Sequence, residues 1–405
     1  MRIAIVNSLY TPHIIGGAEI STQILAESLV PAADVHVLTV GGQKRGAGIL
    51  TEVVNGVTVH RLPCNNLYWI GEPQGRGALM KAARRMVDLY NPAQIRSIRN
   101  LLSDLKPDLV HTQNLSGLGA GTWAACAEEG LPVAHTLRDY SLLSPVSSPI
   151  KNQALSRIYR STSLGFSKRV SAVVGISSHI LKRHTDAGLF PNAAKLVIPN
   201  AVDGEIGGGA KDFGRKPLRI GYFGRIEPEK GVRELVDAIR FLPRNMVEQV
   251  IVCGDGGLKR QLEELCRHDD RFSFTGKVSP EEARRHMAKV DVTFVPSVWE
   301  EPFGRVIIES YQVGTPVYAS AVGGIPDAVW NPGDFLFEPG SAEAIQAKII
   351  AFHSLTGDEK RRIQAQCLKH CRGFTKKSLV DKHMMLYEQI QVVQHVYAQA
   401  ALNGR

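Results

Sequence analysis

A chain of 405 residues is longer than one ordinary hydrophobic core supports, so its length predicts two domains. Hydrophobic residues make up 44% of the chain, a normal globular value that excludes a disordered or fibrous protein. The formal net charge of +9 is concentrated in the first half, where residues 1–200 contain 20 Lys and Arg against 12 Asp and Glu.

The positive charge of the first half is densest at residues 76–85 (RGALMKAARR) and 151–169, and the second stretch contains no acid. A solvated helix face, an anionic acceptor and contact with an anionic membrane surface are all open as explanations. We do not expect nucleic acid as a partner, because no recognised binding motif accompanies the charge.

The first residues, MRIAIVNS, run directly into a strand and lack the basic n-region of a signal peptide. No apolar run approaches the ~20 residues that span a bilayer. The six cysteines form no CxxC pair, which predicts neither a disulfide framework nor a zinc site. We therefore expect a cytoplasmic protein, with peripheral contact at the inner face of the membrane as an extension of its basic first half.

Apolar strands alternate with amphipathic helices such as EISTQILAESLV along the whole chain, which predicts an α/β fold with parallel sheets. The strands predicted in the first half are RIAIV, DVHVLTV, GVTVHRL, DLVHTQ, PVAHTL and AVVGIS. The pattern restarts in the second half with LRIGYFG, VEQVIVCG, FSFTG, VDVTFVPS and TPVYAS.

The repeated pattern predicts two Rossmann-like, doubly wound domains that face each other across a cleft, at residues 1–199 and 218–373. The glycine-rich stretch 200–217 lacks apolar periodicity and is predicted to be a linker. Residues 374–405 have the pattern of a long helix, which we expect to pack back on the first domain. Open parallel sheets bind ligands at the carboxyl ends of their strands, so residues that follow strands are the candidates for the site.

The first candidate follows the first strand, in YTPHIIGGAEISTQ. Gly17 allows close approach of a ligand to the backbone, and Glu19 opens a helix whose first N–H groups lack intrahelical partners. A simple turn with an acid favoured by the helix dipole explains the stretch equally well. The GxGxxG dinucleotide fingerprint is absent here.

The second candidate lies in LRIGYFGRIEPEKG, where Arg225 and Lys230 follow a strand that ends at Gly224. Two cations at the carboxyl end of a strand suit a diphosphate, because Arg binds phosphate oxygens as a fork and Lys acts as a point charge. Solvated loop cations are the alternative.

The third candidate is PSVWEEPFGRVIIES, residues 296–310, in which a helix is predicted to begin near Gly304 and Arg305. The start of a helix attracts anions, whereas carboxylates such as Glu301 and Glu309 suit vicinal hydroxyl groups. Together they indicate a ligand with a central diphosphate and a polyol at each end. Acids favoured by the helix dipole remain an alternative that explains Glu309 less well than its neighbours.

The fourth candidate is His135, which ends a predicted buried strand and is followed by Arg138 and Asp139. A single histidine at the end of a strand is more often structural than catalytic. The nearby carboxylate makes this group a candidate on the acceptor side of a site, together with Glu19.

These segments together resemble the family 4 retaining glycosyltransferases of the GT-B architecture, and the resemblance covers essentially the whole chain. It is carried, in the family's order, by GGAE, HTLRDY, IPNAVD, YFGRIEPEKG, SVWEEPFGRVIIES and GGIPDAV. The E-x7-E pair of Glu301 and Glu309 is the most specific part. Ala201 departs from the family, which commonly has Gly at this position.

The resemblance implies that the second domain binds a UDP- or GDP-sugar as co-substrate, without another cofactor. Arg225 and Lys230 would stabilise the departing diphosphate. Glu309 would hold the ribose, and Glu301 would hold the hydroxyl groups of the transferred sugar. The remaining donor-binding candidates, close to the phosphates or the sugar, are Gly17, Gly224, Phe303, Gly304 and Arg305.

The resemblance also implies that the first domain binds a glycan or lipid-linked acceptor, with His135 contacting the transferred sugar. The product would belong to cell-envelope polysaccharide, lipopolysaccharide or glycolipid synthesis. The sequence has no D-x-D pair, so we expect a reaction without a metal ion. The resemblance implies retention of the anomeric configuration.

Three other functions stay open on the sequence: a sugar-nucleotide epimerase, a phosphorylase-like enzyme with a cofactor lysine, and a sugar-nucleotide-binding protein without catalysis. A Rossmann dehydrogenase is disfavoured, because neither half of the chain begins with GxGxxG.

Overall fold

The computed structural model describes residues 1–72, 77–143, 153–209, 211–214 and 217–403. The chain divides into two compact units, one formed by residues 1–201 and 376–405 and the other by residues 202–375. Each unit is built on one sheet of mainly parallel strands, which confirms the predicted α/β class with two parallel-sheet domains.

The strands are, in chain order, β1 (Arg2–Val6), β2 (Asp34–Val40), β3 (Leu50–Val54), β4 (Val57–Leu62), β5 (Leu109–Thr112), β6 (Val133–Leu137), β7 (Ala172–Gly175), β8 (Ala194–Val197), β9 (Leu218–Phe223), β10 (Val247–Cys253), β11 (Phe272–Gly276), β12 (Val292–Val295), β13 (Val317–Ser320) and β14 (Leu336–Phe337). Most of them are continuous apolar runs, as expected for parallel strands that are covered on both faces.

The helices are, in chain order, α1 (Gly17–Leu29), α2 (Ala78–Leu89), α3 (Pro92–Leu105), α4 (Thr122–Glu128), α5 (Gln153–Ser167), α6 (Ser178–Asp186), α7 (Val232–Arg240), α8 (Lys259–Leu265), α9 (Pro280–Lys289), α10 (Arg305–Gln312), α11 (Ile325–Ala328), α12 (Pro332–Phe335), α13 (Ala342–Ser354), α14 (Gly357–Cys371) and α15 (Lys376–Asn403). Short 3₁₀ turns lie at Pro228–Lys230 and Arg372–Phe374. Within the described residues, no helix combines the length and apolarity that crossing a bilayer requires.

The first sheet has the strand order β3-β4-β2-β1-β5-β6-β7-β8, and the second has the order β11-β10-β9-β12-β13-β14. In the first sheet the chain reverses its winding direction at β1, which lies between β2 and β5. In the second sheet it reverses at β9, which lies between β10 and β12. Ligands of open α/β sheets bind beside such reversal points, at the carboxyl ends of the strands.

One strand of the first sheet, β3, is antiparallel to its neighbour β4, which the sequence analysis did not predict. The two strands are joined by Asn55 and Gly56, whose φ angles are 50° and 82°. Two consecutive positive φ angles define the tight turn that Asn-Gly favours in hairpins. This dipeptide was the local signal for the missing strand.

The described part of residues 200–217, which the sequence predicted as a linker, lies against the second unit. The side-chain amide of Gln312 donates to the carbonyl oxygens of Asp203 and Glu205, at 2.6 and 3.1 Å. The ammonium of Lys211 donates to the carbonyl oxygen of Ala288 at 2.8 Å. The described residues from 202 onward therefore belong to the second unit, whereas residues 200 and 201 belong to the first.

The last helix, α15, belongs to the first unit and packs against α1. Its inner face buries Leu379, Leu386, Tyr387 and Ile390 in the core beneath β1 and β2. The hydroxyl of Tyr387 lies 2.6 Å from Nδ1 of the buried His111. This apolar face has the helical spacing that the sequence showed at residues 379–390.

Four histidines of the first unit are at most 3% exposed: His111, His135, His184 and His383. Burial disfavours the charged imidazolium, and it lowers the pKa of His135 to about 3 and the pKa values of His184 and His383 to about 4. The pKa of His111 is lowered well below its usual value for the same reason. All four rings are therefore neutral at pH 7.

We expect acid to destabilise the first unit. An unfolded histidine has a pKa near 6.5, whereas the pKa values of His135, His184 and His383 are about 3 to 4, so the unfolded state binds more protons as the pH falls through this window. From pH 7 to pH 5 each histidine should lower the free energy of unfolding by about 2 kcal/mol. Amide hydrogen exchange of β1, β5 and β6, corrected for intrinsic rates, measures this change.

The matched variants are His383→Leu, which removes one buried titrating ring, and His268→Leu, which removes an exposed one. His383→Leu should reduce the loss of unfolding free energy between pH 7 and pH 5 by about 2 kcal/mol, the contribution of one histidine. His268→Leu should leave this loss unchanged. Equal free energies of opening at pH 7 and pH 5 would contradict the prediction.

Candidate functional site

The candidate site of the second unit lies at the carboxyl ends of β9 and β12, which are neighbours in the sheet. The loop 224–231 follows β9, and the loop 296–304 follows β12. Parallel neighbours end at the same edge, so these two loops lie side by side at the reversal point of the sheet. They contain the cations and carboxylates that the sequence analysis selected.

Lys230 and Glu301 form an ion pair between these two loops. The ammonium of Lys230 contacts Oε1 of Glu301, and the hydroxyl of Ser297 donates to the same oxygen at 3.2 Å. The Lys230 and Glu301 side chains are 21% and 15% exposed. The structure thus joins a cation and a carboxylate, 71 positions apart in the sequence, in a partly desolvated pair.

The other selected side chains of this unit pair locally. Arg225 is 65% exposed and its guanidinium contacts Glu229 at 3.1 Å. Nε of Arg305 donates to Oε1 of Glu309 at 2.6 Å, across one turn of α10. The sequence analysis did not predict this second pair, although the i,i+4 spacing of opposite charges on a helix was its signal.

The backbones of the site loops are in close contact at two glycines. Gly231 has a φ of 65°, and a β-carbon there would lie 1.8 Å from the carbonyl oxygen of Pro296. Gly323 has a φ of 61°, and its β-carbon would lie 2.5–2.7 Å from backbone atoms of Glu300 and Glu301. Only glycine fits both positions, since each requires a positive φ and lacks space for a side chain.

Two aromatic residues hold the loops in place. The hydroxyl of Tyr222 donates to the carbonyl oxygen of Arg225 at 2.5 Å, and burial raises the pKa of this phenol above its usual value. Phe303 is buried against Phe374, with ring centroids 5.9 Å apart. Gly304 follows Phe303 as the N-cap of α10, in a left-handed conformation and without a capping side chain. The start of α10 therefore presents backbone rather than side-chain groups.

In the first unit, Glu19 is a buried capping residue of α1. Its carboxylate accepts a hydrogen bond from the backbone N–H of Gly16 at 2.8 Å. Gly17, by contrast, is exposed at the first position of the helix. Burial raises the pKa of Glu19, and the negative charge of Asp139 acts in the same direction. The capping contact accounts for the position of Glu19 without a ligand.

His135, which the sequence analysis placed at the end of a strand, lies in the middle of β6 and is buried among aromatic rings. Its Nδ1 is 2.8 Å from the hydroxyl of Thr112, which accepts from the indole of Trp123 at 2.9 Å and donates to the carbonyl of Ala134. The remaining lone pair of this hydroxyl accepts the Nδ1–H of His135. The neutral ring therefore keeps Nε2 as a hydrogen-bond acceptor.

A small cavity of about 10 Å3, room for roughly one water molecule, is lined by His135, Arg138 and Asp139. Arg138 donates to the side-chain oxygens of Gln113 and Asn200, at 2.6 and 2.7 Å. Asp139 accepts from the side-chain amide of Asn114 at 3.0 Å. The structure thus brings the three predicted residues together. The three amides that hold them were not predicted. The signal for Gln113 and Asn114 was their position directly after the apolar strand β5, whereas Asn200 follows β8, which the sequence analysis did not predict.

The basic stretches of the first unit are only partly a surface feature. Arg84 is buried and pairs with Asp88 at 3.4 Å, so its charge is satisfied inside the unit and is not part of the surface expected from the sequence. The described side chains of α5 and its C-terminal end expose Arg157, Arg160 and Lys168. Residues 76 and 151–152 lie outside the described residues. Across the described parts of the chain, we find no cluster of three or more metal-ligating side chains.

Two family models match the chain. The model of the glycosyl transferase 4-like domain matches residues 16–201, and the model of glycosyl transferases group 1 matches residues 210–367. An uncharacterized 42.6 kDa protein in the cps region of Klebsiella pneumoniae is 32% identical over 336 residues, which cover 81% of this chain and 87% of that protein.

Solved structures share the fold over nearly the whole chain. Sucrose-phosphate synthase from Thermosynechococcus elongatus matches with a TM-score of 0.75 and 20% identity, over 97% of this chain and 99% of that chain. Anabaena HepE in complex with UDP matches with a TM-score of 0.70 and 19% identity, over 96% of this chain and 100% of that chain, and HepE has also been solved with UDP-glucose.

Two parallel-sheet units of this kind, matched along their length by such structures, define the GT-B fold of glycosyltransferases. The two family models together span most of the chain, one on each unit. The protein belongs to the group 1 glycosyltransferases, of the family 4 type, and this confirms the resemblance found in the sequence.

Gly323→Ala should destabilise the second unit and displace Glu301, because the new β-carbon would overlap the backbone of Glu300 and Glu301. We expect the free energy of unfolding of this unit to fall by about 2–4 kcal/mol, as measured in urea by hydrogen exchange of β9 and β12. The matched control is Gly373→Ala, where a β-carbon meets nothing within 4 Å. Equal free energies of unfolding for Gly323→Ala and Gly373→Ala would contradict the prediction, because the loop would then accommodate the new β-carbon without loss of stability.

Proposed function

We propose that this protein is a retaining glycosyltransferase that moves a sugar from a UDP- or GDP-sugar to a hydroxyl group of a glycan or lipid-linked acceptor. The observation that carries the proposal is the Lys230–Glu301 pair at the reversal point of the second sheet. An ammonium suits a diphosphate, and a carboxylate beside it suits the hydroxyl groups of the attached sugar. The complexes of HepE with UDP and UDP-glucose support a donor of this class.

In this proposal the bond between the anomeric carbon and the diphosphate breaks, and its electron pair goes to the phosphate oxygen. Lys230 and Arg225 offset the negative charge that grows there, a contribution that is usually the largest in such sites. The contact with Glu301 holds the ammonium in place before the substrate arrives. The acceptor oxygen bonds to the same face of the sugar, and its proton passes to the departing phosphate.

The proposal extends to a reaction without a metal ion. Two cations follow β9, and the sequence has no D-x-D pair to hold a bridging metal. Lys230 and Arg225 would therefore supply the positive charge that a divalent ion supplies elsewhere. Glu309 would bind the ribose once its carboxylate exchanges or shares its contact with Arg305.

The first unit would supply the acceptor side in this proposal. The neutral His135, with Nε2 as an acceptor, and the fixed charges of Arg138 and Asp139 offer hydrogen-bonding groups for sugar hydroxyls. The exposed cations of α5 support an anionic, lipid-linked acceptor of cell-envelope polysaccharide, lipopolysaccharide or glycolipid synthesis, at an anionic membrane surface.

A panel of UDP, GDP, ADP and their sugars should contain one nucleotide family that raises the melting temperature of the protein. A ligand at a hundredfold excess over its dissociation constant stabilises the native state by about 2.7 kcal/mol. Differential scanning fluorimetry measures the shift and identifies the base. NAD is the control and should leave the melting temperature unchanged.

The same panel with a chelator tests the metal-independent part of the proposal. The shift, and sugar transfer itself, should be equal in EDTA and in magnesium. If sugar transfer were lost in EDTA and restored by magnesium, the reaction would depend on a metal ion and this part of the proposal would be wrong. A response to NAD instead of nucleotide sugars would overturn the glycosyltransferase proposal as a whole.

The charged residues of the site should separate binding from turnover. Glu309→Ala should raise the donor KM about tenfold, since it removes a contact made equally in the ground and transition states. Arg225→Ala with Lys230→Ala should lower kcat about 100-fold or more, because these cations act on charge that develops during the reaction. Steady-state kinetics of nucleotide release measures both effects.

Arg244→Ala is the matched control for these variants, because Arg244 is an exposed cation of the same unit that pairs with Asp270 on the surface. It should leave kcat and KM unchanged. A loss of kcat in Glu309→Ala, together with a change of KM alone in Arg225→Ala with Lys230→Ala, would show that the roles of these residues are misassigned.

The anomeric configuration of the product, determined by NMR, tests retention. A product with the inverted configuration would refute it.

A further inference from the structure

A second surface of the first unit lies away from its candidate site residues. A groove of about 1100 Å3 forms where α15 crosses the amino ends of β6, β7 and β8. Its apolar lining includes Val170, Ala194, Met385, Leu386 and Ile390. Parallel strands have their amino ends at one edge and their carboxyl ends at the other, so this groove lies at the opposite edge of the sheet from Arg138 and Asp139, which follow β6.

The outer face of α15 continues this groove as an exposed apolar stripe. Val392, Val393 and Val396 are 62%, 53% and 59% exposed, and Met385, about two to three turns earlier on the helix, is 60% exposed. Residues 389–404 contain no Lys, Arg, Asp or Glu. A contiguous apolar patch of this kind marks an interaction surface rather than an ordinary solvated face.

The composition of the stripe favours a protein over a lipid surface. Helices that lie on anionic membranes carry Lys and Arg on their polar face. Beyond residue 388, the polar positions of α15 are instead mainly Gln, an uncharged side chain that is tolerated between packed helices. The cations that line the groove, Lys168 and Arg169, come from the end of α5 on the facing wall.

The charges of the groove are complementary to each other. Lys168 and Arg169 line one wall, and Glu388 of α15 lines the other. A surface that carries both members of a complementary set can pair with itself around a two-fold axis, which is the commonest symmetry of soluble oligomers. We propose that this groove binds a second copy of the chain, with α15 of one copy packed against α15 of the other.

In this dimer the valine stripes pack against each other along the axis. Glu388 of each copy faces Lys168 and Arg169 of the other copy at the two ends of the contact. In the first unit of each copy, Arg138 and Asp139 lie at the opposite edge of the sheet from this groove, so breaking the dimer leaves them unchanged. The interface is therefore testable separately from sugar transfer.

Light scattering after size exclusion tests the proposal first. The native protein at about 100 µM should have twice the mass of one chain, a concentration that populates dimers with micromolar dissociation constants. Val392→Lys with Val396→Lys should give the mass of one chain. Both valines are more than half exposed, so this variant should keep its melting temperature at low protein concentration and its circular dichroism spectrum.

A charge reversal tests the two-fold arrangement without changing the apolar stripe. Glu388→Lys alone, and Lys168→Glu with Arg169→Glu alone, should each weaken the dimer at least tenfold. A mixture of the two variants should restore it as a mixed dimer, because each half of the two-fold contact then pairs opposite charges. Restoration in the mixture distinguishes contacts between copies from contacts within one chain.

A single-chain mass for the native protein at this concentration would overturn the proposal. A dimer that the valine substitutions leave intact would also overturn it, since the contact would then lie elsewhere. Flotation of a monomer with phosphatidylglycerol vesicles, lost on Val392→Lys with Val396→Lys, would assign the stripe to a lipid surface instead. A mixture of the charge variants that stays monomeric would reject the two-fold pairing of Glu388 with Lys168 and Arg169.

Discussion

The candidate site depends on one constraint of the second sheet, the position of β9 between β10 and β12. The loops that follow β9 and β12 leave neighbouring strands, and their backbones touch at Gly231 and Pro296 without space for a β-carbon. This contact brings the ammonium of Lys230 to the carboxylate of Glu301. Loops without that contact would leave two ordinary surface charges, each screened by water and worth little to a ligand.

The two units use burial in opposite ways. The second unit keeps opposite charges in pairs at the edge of its sheet, where a charged ligand can exchange with them. The first unit buries His111, His135 and His383 as neutral rings, and the side-chain oxygens of Gln113 and Asn200 accept hydrogen bonds from Arg138. In the proposed reaction, these differences suit a charged donor on one unit and a hydroxyl-bearing acceptor on the other.

Much of the fold follows from local patterns in the sequence. The central strands of both sheets are largely apolar runs. Such a run is recognisable as a buried strand from its own residues, without knowledge of the strands that pair with it. The strands that the sequence analysis missed, β3, β8 and β14, are short edge strands or have mixed exposure. Their pairing depends on a neighbour that is already in place, so their own residues carry a weak signal.

The sequence by itself determined which charged residues follow strands, and thereby the identity of Arg225, Lys230, Glu301 and Glu309 as candidates. Only the tertiary structure decided that Lys230 pairs with Glu301 across two loops. The pair of Glu309 with Arg305, by contrast, has a local spacing that the sequence already contains. The tertiary structure also placed Arg84 inside the first unit beside Asp88. The physical reason is that long-range pairs depend on strand order and burial, which arise from the packing of distant segments and are not encoded in any local pattern.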